Sequence, residues 1–307
     1  MSELPQSVLG RTGLAVSRLG YGSMELRHTD TPERPHLDRA AAGQLLNHAL
    51  DEGITYFDTS PTYGPAEELI GEFLSGRRDE FTLATKTGFV IDELPGRRHE
   101  FTTDIVRKGL EWSLKRLETD HVDLVQLPGN PAPSTLIALD TLAELEAMRD
   151  EGKCRFIGIS GWLPSLAEHL EWGAFDVYQI PYSALERDNE PLISDAARAG
   201  IGTVIRGGVA QGATVADEQR LAELTGGGHE RAERQRTAWR AAGLDELLGE
   251  VAPGEFMVRY LMSNPAVTTA IIGTTDRAHL DANLAAASRG PLPAELYETC
   301  QARLTAS

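Results

Sequence analysis

Residues 53–74 read GITYFDTSPTYGPAEELIGEFL. Ile54 to Asp58 is a short run of β-branched and aromatic side chains that ends in an acid, and it reads as a buried strand. Ala66 to Leu74 repeats its apolar positions at helical spacing. Between them lies a loop carrying Tyr63. This is one strand–loop–helix unit, and the number of times it recurs decides the fold.

Working outward, strands are expected at Phe81 to Lys86, Val122 to Leu127, Arg155 to Ser160, Val177 to Pro181, Gly202 to Arg206 and Thr269 to Ile272. Helices are expected at Thr103 to Leu117, Ser134 to Glu151, Pro164 to Trp172, Pro191 to Ala199, Gly254 to Met262 and Arg277 to Ala287. Thr103 and Ser134 are placed to cap their helices, and the stripe Leu136, Leu139, Leu142, Leu145 and Met148 reads as core packing. With Val16 to Gly20 as the first strand, the pattern gives eight units. Eight units close on themselves as a (β/α)8 TIM barrel, whereas fewer would leave an open doubly wound sheet. Ser7 to Leu19, with Gly10 and Gly13 between apolar positions, reads as a β-hairpin covering one barrel end. Residues 1–307 are read as one such domain. Two long loops follow strands, Gly88 to Phe101 and Gln211 to Gly249, the second running through Gly226-Gly227-Gly228 into a charged helical stretch ending near Arg240. Such loops at the strand C-terminal face cover ligands in barrels, and a surface insertion is the plainer alternative.

The bulk numbers narrow the function. A chain of 307 residues with 41% hydrophobic content can bury a substantial core. Its net charge of −17 repels a phosphate backbone, so nucleic acid is not an expected partner. A single dinucleotide held by local donors is compatible with that field. Cys154 and Cys300 suggest neither a disulfide framework nor a metal site, and no His and Cys spacing suits a metal. No targeting or membrane-spanning stretch stands out, so a cytoplasmic protein without a membrane partner is expected, its oligomeric state open. The glycine triplet lacks the Lys-Ser/Thr of a phosphate loop, and GISGW is not a nucleophile elbow.

Asp58 ends the second strand, Tyr63 lies in the loop after it, and Lys86 ends the third strand, so a barrel would point all three into one mouth. An ammonium beside a phenol stabilises the phenolate and should lower the Tyr63 pKa below about 10. A phenol so tuned can protonate a carbonyl oxygen as hydride arrives at carbon. The same trio also fits a buried ion pair with a tyrosine packed nearby.

At this point the chain resembles the aldo-keto reductase family. The segment quoted above, FTLATKTG, LKRLETDHVDLVQL, GKCRFIGIS, FDVYQIPYSALER and IIGTTDRAHLDANL follow the family's motifs in order, from about Ser7 to Ala287. The resemblance implies reduction of a small-molecule aldehyde or ketone by NADPH or NADH. Tyr63 would be the general acid, with Asp58 and Lys86 tuning it. Ser160 and Gln179 would hold the nicotinamide carboxamide, and Arg206, Gly207, Gly208, Gln211 and Gly212 would lie along the nicotinamide and pyrophosphate. Gly273, Thr274, Thr275, His279 and Asn283 would surround the adenosine. His279, with Arg277 nearby, stands where a 2′-phosphate would bind, so NADPH is the expected cofactor, with NADH as the alternative.

Three positions depart from the family. Its catalytic His after the fourth strand is replaced by Pro128, which offers no donor and no titratable group. His99 is the better candidate to substitute, because His121 precedes its strand and belongs at the other barrel end; a plain surface-loop histidine is the simpler reading of His99. Gly161 stands where the family often has Asn, and Arg206 where many members place an aromatic ring. The missing His leaves two further readings open: a lyase- or epimerase-like enzyme running proton transfer alone, and a regulatory barrel that senses cofactor.

Overall fold

The computed structural model describes residues 4–30, 37–90, 98–209 and 228–306. Two short strands, β1 (Gln6–Val8) and β2 (Ala15–Ser17), pair antiparallel as the expected hairpin. The barrel strands are β3 (Leu19–Gly22), β4 (Tyr56–Asp58), β5 (Thr82–Lys86), β6 (Val122–Pro128), β7 (Cys154–Ser160), β8 (Val177–Pro181), β9 (Gly202–Arg206) and β10 (Thr269–Ile272). They pair parallel in sequence order and close when β10 joins β3. The described helices are α1 (Arg39–Asp51), α2 (Ala66–Leu74), α3 (Thr103–Arg116), α4 (Pro133–Ala138), α5 (Thr141–Asp150), α6 (Ser165–Trp172), α7 (Glu190–Arg198), α8 (Gly228–Ala241), α9 (Leu244–Leu248), α10 (Pro253–Ser263), α11 (Arg277–Ser288) and α12 (Ala294–Ala306). None of them is long and apolar enough to cross a membrane.

The two-residue period of a strand sorts its side chains between helices and barrel interior. Phe57, Leu83, Val125, Ile157 and Ile205 face out and join the large core under the helices. Tyr56, Ala84, Leu124, Val177 and Val204 face in and form a second, smaller core, which Leu9 and Val16 of the hairpin seal. Two residues further along the same strands, the inward positions become Asp58, Lys86, Gln126, Gln179 and Arg206. The apolar layer is thus a floor, and the polar layer stands on it at the C-terminal mouth.

Several boundaries correct the sequence reading. The run Val16 to Gly20 is not one strand: it divides at Arg18 into the hairpin strand β2 and the barrel strand β3. The Arg18 guanidinium donates to the carbonyls of Met262 (2.8 Å), Val267 (3.1 Å) and Asn264 (3.3 Å), which fixes the crossing point between the two sheets. Ser134 to Glu151 is not one helix either; Asp140 takes a left-handed φ of 52° and separates α4 from α5. The leucine stripe nonetheless packs as expected, with Leu136, Leu145 and Met148 fully buried. Neither Thr103 nor Ser134 is a cap; Thr102 and Ala132 hold those positions, without a side-chain cap bond. Helices α1 and α12 were not anticipated.

The hairpin docks tightly. Gly10 has φ +51°, and a Cβ there would lie 2.3 Å from Gly202 N and 2.6 Å from Gly200 O. The neighbouring Arg11 N–H donates to Gly200 O at 2.6 Å. Gly10→Ala therefore meets both a left-handed backbone and a backbone collision, and should cost about 2–4 kcal/mol as a sum of strain and overpacking. A urea midpoint unchanged from wild type would show that the hairpin does not seal the barrel.

Candidate active site

Asp58 is the hub of the polar layer. Its Oδ1 accepts from Lys86 Nζ at 2.6 Å, and its Oδ2 accepts from Gln126 Nε2 at 2.9 Å and from Gln179 Nε2 at 2.8 Å. Lys86 Nζ also donates to the Thr59 carbonyl at 2.9 Å, and Ser160 Oγ donates to Gln179 Oε1 at 3.0 Å. All of these side chains are buried. Burial works against the Lys86 charge, but Asp58 and the adjacent Tyr63 outweigh it and hold the ammonium above the usual lysine value. Two buried polar atoms in this group, Gln126 Oε1 and Thr59 Oγ1, make no hydrogen bond.

Tyr63 is half-buried at the edge of this network, its ring centroid 5.2 Å from Lys86 Nζ. Its loop is held locally. Tyr63 N–H donates to Ser60 O at 3.0 Å and Ala66 N–H donates to Tyr63 O at 3.0 Å. Arg116, from α3, donates to Gly64 O. The structure thus brings Asp58, Tyr63 and Lys86 together as the sequence implied.

Arg206 ends β9, its guanidinium carbon 5.7 Å from the Trp162 ring centroid. These two residues line a cavity of about 270 Å³ with Pro181, Glu186, Asp188, Asn189 and Arg231. Burial lowers the Arg206 pKa, Tyr63 opposes that shift and Arg231 adds to it. Gly207 takes φ +71°, and Gly208 packs so closely on Leu261 that a Cβ would lie 2.3 Å from its Cδ1. Gln211 and Gly212 lie outside the described residues.

The remaining predicted positions gather at the end of β10 and the start of α11. Thr274 is buried, and its carbonyl accepts from Tyr21 OH at 2.8 Å. Gly273 abuts Gly22 O, and Thr275 is half-buried beside it. Asp276 caps α11 by accepting from Ala278 N–H at 2.7 Å. His279 is exposed on the first turn, and Asn283 Nδ2 donates to the His279 carbonyl at 2.8 Å. Because β10 lies between β9 and β3, this group shares a rim with Arg206.

Tyr178 and Tyr182 are fully buried and fill the core, whereas Trp162 is 46% exposed at the mouth. His121 precedes β6 and pairs with Asp120 at 2.7 Å, far along the strand from the mouth. Gly161 carries no side chain, but Asn130 Oδ1 accepts from Trp162 N–H at 2.8 Å and sits 2.0 Å from where a Cβ of residue 161 would be. Sequence reading missed Asn130 and the role of Gln126. The latter was legible from parity, since it lies two residues beyond the inward Leu124.

Comparison with known proteins decides the family. The Aldo/keto reductase family model matches residues 18–304. The chain belongs to the aldo/keto reductase family. It is 26% identical over 299 residues to the oxidoreductase YqkF of Bacillus subtilis, covering 95% of this chain and 94% of that protein. The oxidoreductase YrpG of the same organism is 32% identical over 294 residues, covering 86% and 85%. An aldo-keto reductase of Bacillus halodurans, solved in its holo form, superposes with a TM-score of 0.82 at 26% identity, covering 98% of this chain and 96% of that one. The protein is accordingly an NAD(P)H-dependent oxidoreductase on a (β/α)8 barrel.

A buried pair missing one member leaves an uncompensated charge. Lys86→Met should therefore lower the unfolding free energy by about 3–5 kcal/mol, read by urea titration near neutral pH. The sign with pH follows from the raised Lys86 pKa: the stabilisation is present below the unfolded value of about 10.4 and is lost as pH rises through the folded value. A wild-type protein whose stability rises across that alkaline range would contradict the pairing.

Proposed function

We propose that this reductase converts an aldehyde or ketone to an alcohol with NADPH, and that Tyr63 is its general acid. The observation that carries this reading is the Asp58–Lys86 pair at 2.6 Å with the Tyr63 ring beside the ammonium. Tyr63 O–H gives its proton to the carbonyl oxygen, and the Lys86 ammonium stabilises the phenolate left behind. Asp58, fixed by three donors, keeps Lys86 oriented and charged. When bound, the reduced nicotinamide supplies the hydride that reaches the carbonyl carbon.

The residues present suit such a cofactor. The strand end at Arg206 passes into Gly207 and Gly208, which carry no side chain of their own, and Gln126 Oε1 leaves acceptor capacity unused beneath the mouth. In this reading Ser160 and Gln179 hold the carboxamide. Gly207, Gly208, Gln211 and Gly212 follow the pyrophosphate, and Gly273, Thr274, Thr275, His279 and Asn283 surround the adenosine. Arg277 and His279 favour NADPH over NADH. They meet Asp281 and Asp276 at 4.0 and 3.9 Å across exposed surface, contacts weak enough for a dianionic phosphate to displace.

Fluorescence titration with NADPH and with NADH tests the pocket without a substrate, and saturable micromolar binding is expected, tighter for NADPH. Tyr63→Phe should leave that binding intact and abolish carbonyl-dependent cofactor oxidation. Turnover without cofactor oxidation would instead identify a proton-transfer enzyme, and cofactor binding with no turnover a sensing barrel. A second outcome concerns Arg206. Its fixed charge disfavours a cationic ring, so Arg206→Tyr should raise the affinity for NADP⁺ relative to NADPH. An unchanged ratio would remove Arg206 from the nicotinamide face.

A further inference from the structure

We propose that His99 supplies the second hydrogen bond to the substrate's carbonyl oxygen, a role that rests on the carbonyl-reduction reading above. An oxygen gathering negative charge is best stabilised by two preorganised donors. Tyr63 is one. Among the described residues, the strand-end donors nearest Asp58 are committed: Lys86 to Asp58 and Thr59 O, the Gln126 and Gln179 amides to Asp58, and Ser160 to Gln179. In the carbonyl-reduction reading Arg206, beside Trp162, is assigned to the nicotinamide, and Pro128 has nothing to donate.

His99 reaches this place from the ribbon that rises after β5. The next residue after Pro128 is Gly129, with φ +85°. A Cβ built on it would lie 2.2 Å from His99 Nδ1 and 2.4 Å from Cε1. The imidazole therefore fills the side-chain space of residue 129, one position beyond the donorless proline. It is held there rather than waving in solvent. Phe89 and Phe101 flank the ring, with centroids 5.0 and 6.1 Å away. Glu100 N–H donates to Gly88 O at 2.9 Å and Val90 N–H to Arg98 O at 3.2 Å, which pairs Phe89 with His99 across the ribbon. Thr141 Oγ1 ties down the Phe101 carbonyl at 2.5 Å.

The ring nitrogens of His99 have no hydrogen-bond partner among the described residues, and the residue keeps an exposed side. Burial of the remainder lowers its pKa below the usual histidine value, so near neutral pH the ring is uncharged and carries one N–H. It donates a hydrogen bond without giving up its proton. The proton of the product alcohol comes from Tyr63, and the hydride and its two electrons come from the reduced nicotinamide, which is oxidised as the carbonyl is reduced.

His99→Phe keeps a ring between Phe89 and Phe101 and removes the N–H. In the full-length chain, kcat for aldehyde reduction should fall about 10²–10³-fold, with the NADPH Kd from fluorescence unchanged. His99→Phe combined with Pro128→His should recover at least about tenfold of that loss, because an imidazole one residue away restores the donor; His99→Gln, which keeps an N–H, should fall between wild type and His99→Phe. A kcat within twofold of wild type in His99→Phe overturns the proposal alone. So does a parallel loss of NADPH affinity and urea stability, which would make His99 a packing residue. A wild-type chain that oxidises no NADPH with any aldehyde overturns the carbonyl-reduction reading and this proposal together.

Discussion

A carboxylate and an ammonium cannot be taken out of water cheaply, and the barrel mouth is built around that cost. Asp58 and Lys86 meet at 2.6 Å, buried above the apolar floor of Tyr56, Ala84, Leu124, Val177 and Val204. The attraction is strong there because water is scarce, and it offsets desolvation only if the remaining lone pairs and protons find partners. Four other strand-end groups supply them: the amides of Gln126 and Gln179, the Ser160 hydroxyl at one remove and the Thr59 carbonyl. Each comes from a different barrel strand or its exit, so closure of the barrel and satisfaction of the pair are the same condition. Strand register serves both: a one-residue slip of β4 or β5 would send Asp58 or Lys86 outward under the helices.

The same local logic reconciles an acidic protein with an anionic cofactor. A formal charge of −17 says how the surface meets other macromolecules. It says little about a groove whose near field comes from Lys86, Arg206, Arg231 and the first turn of α11. Arg231 is itself neutralised by Glu186, and Asp188 lines the same cavity as Arg206, so that field is set by a few near charges and not by the whole surface.

Legibility followed the range of the interactions concerned. The barrel was readable because its evidence is periodic and repeated: each strand carries its own apolar run, and eight of them leave few topologies. The placement of Asp58 and Lys86 was readable because a strand end fixes where a side chain points, and that of Tyr63 because it sits in the short loop that leaves such an end. The division at Arg18 was not, since the chain passes from hairpin to barrel without glycine or proline, and the crossing is held by the carbonyls of Met262, Asn264 and Val267, some 250 residues away in sequence. The break at Asp140 was hidden in the same way, by a leucine stripe whose spacing continues across it. Helix caps failed as signals at Thr103 and Ser134 because the extended residue before each helix comes earlier, at Thr102 and Ala132, so both predicted caps fall inside the first turn.

The loops hold a regularity that no single strand reveals. The residue just past β6, β7 and β9 is a glycine in each case, at positions 129, 161 and 207. In each case a polar group from another segment stands close to where a Cβ would be: His99 Nδ1 at 2.2 Å, Asn130 Oδ1 at 2.0 Å and a guanidinium nitrogen of Arg231 at 3.2 Å. A barrel mouth can thus obtain a functional group in two ways, from the strand end itself or from a neighbouring loop that crosses a glycine. Matching positions one by one against a family detects the first and records the second as a loss. Pro128 and Gly161 look like losses in that sense, yet the space beside each is occupied by a side chain with hydrogen-bonding capacity. A strand-end residue is fixed by the sheet, whereas a loop residue is fixed by what it packs on. The aromatic walls around His99 are therefore as much a part of the site as the imidazole.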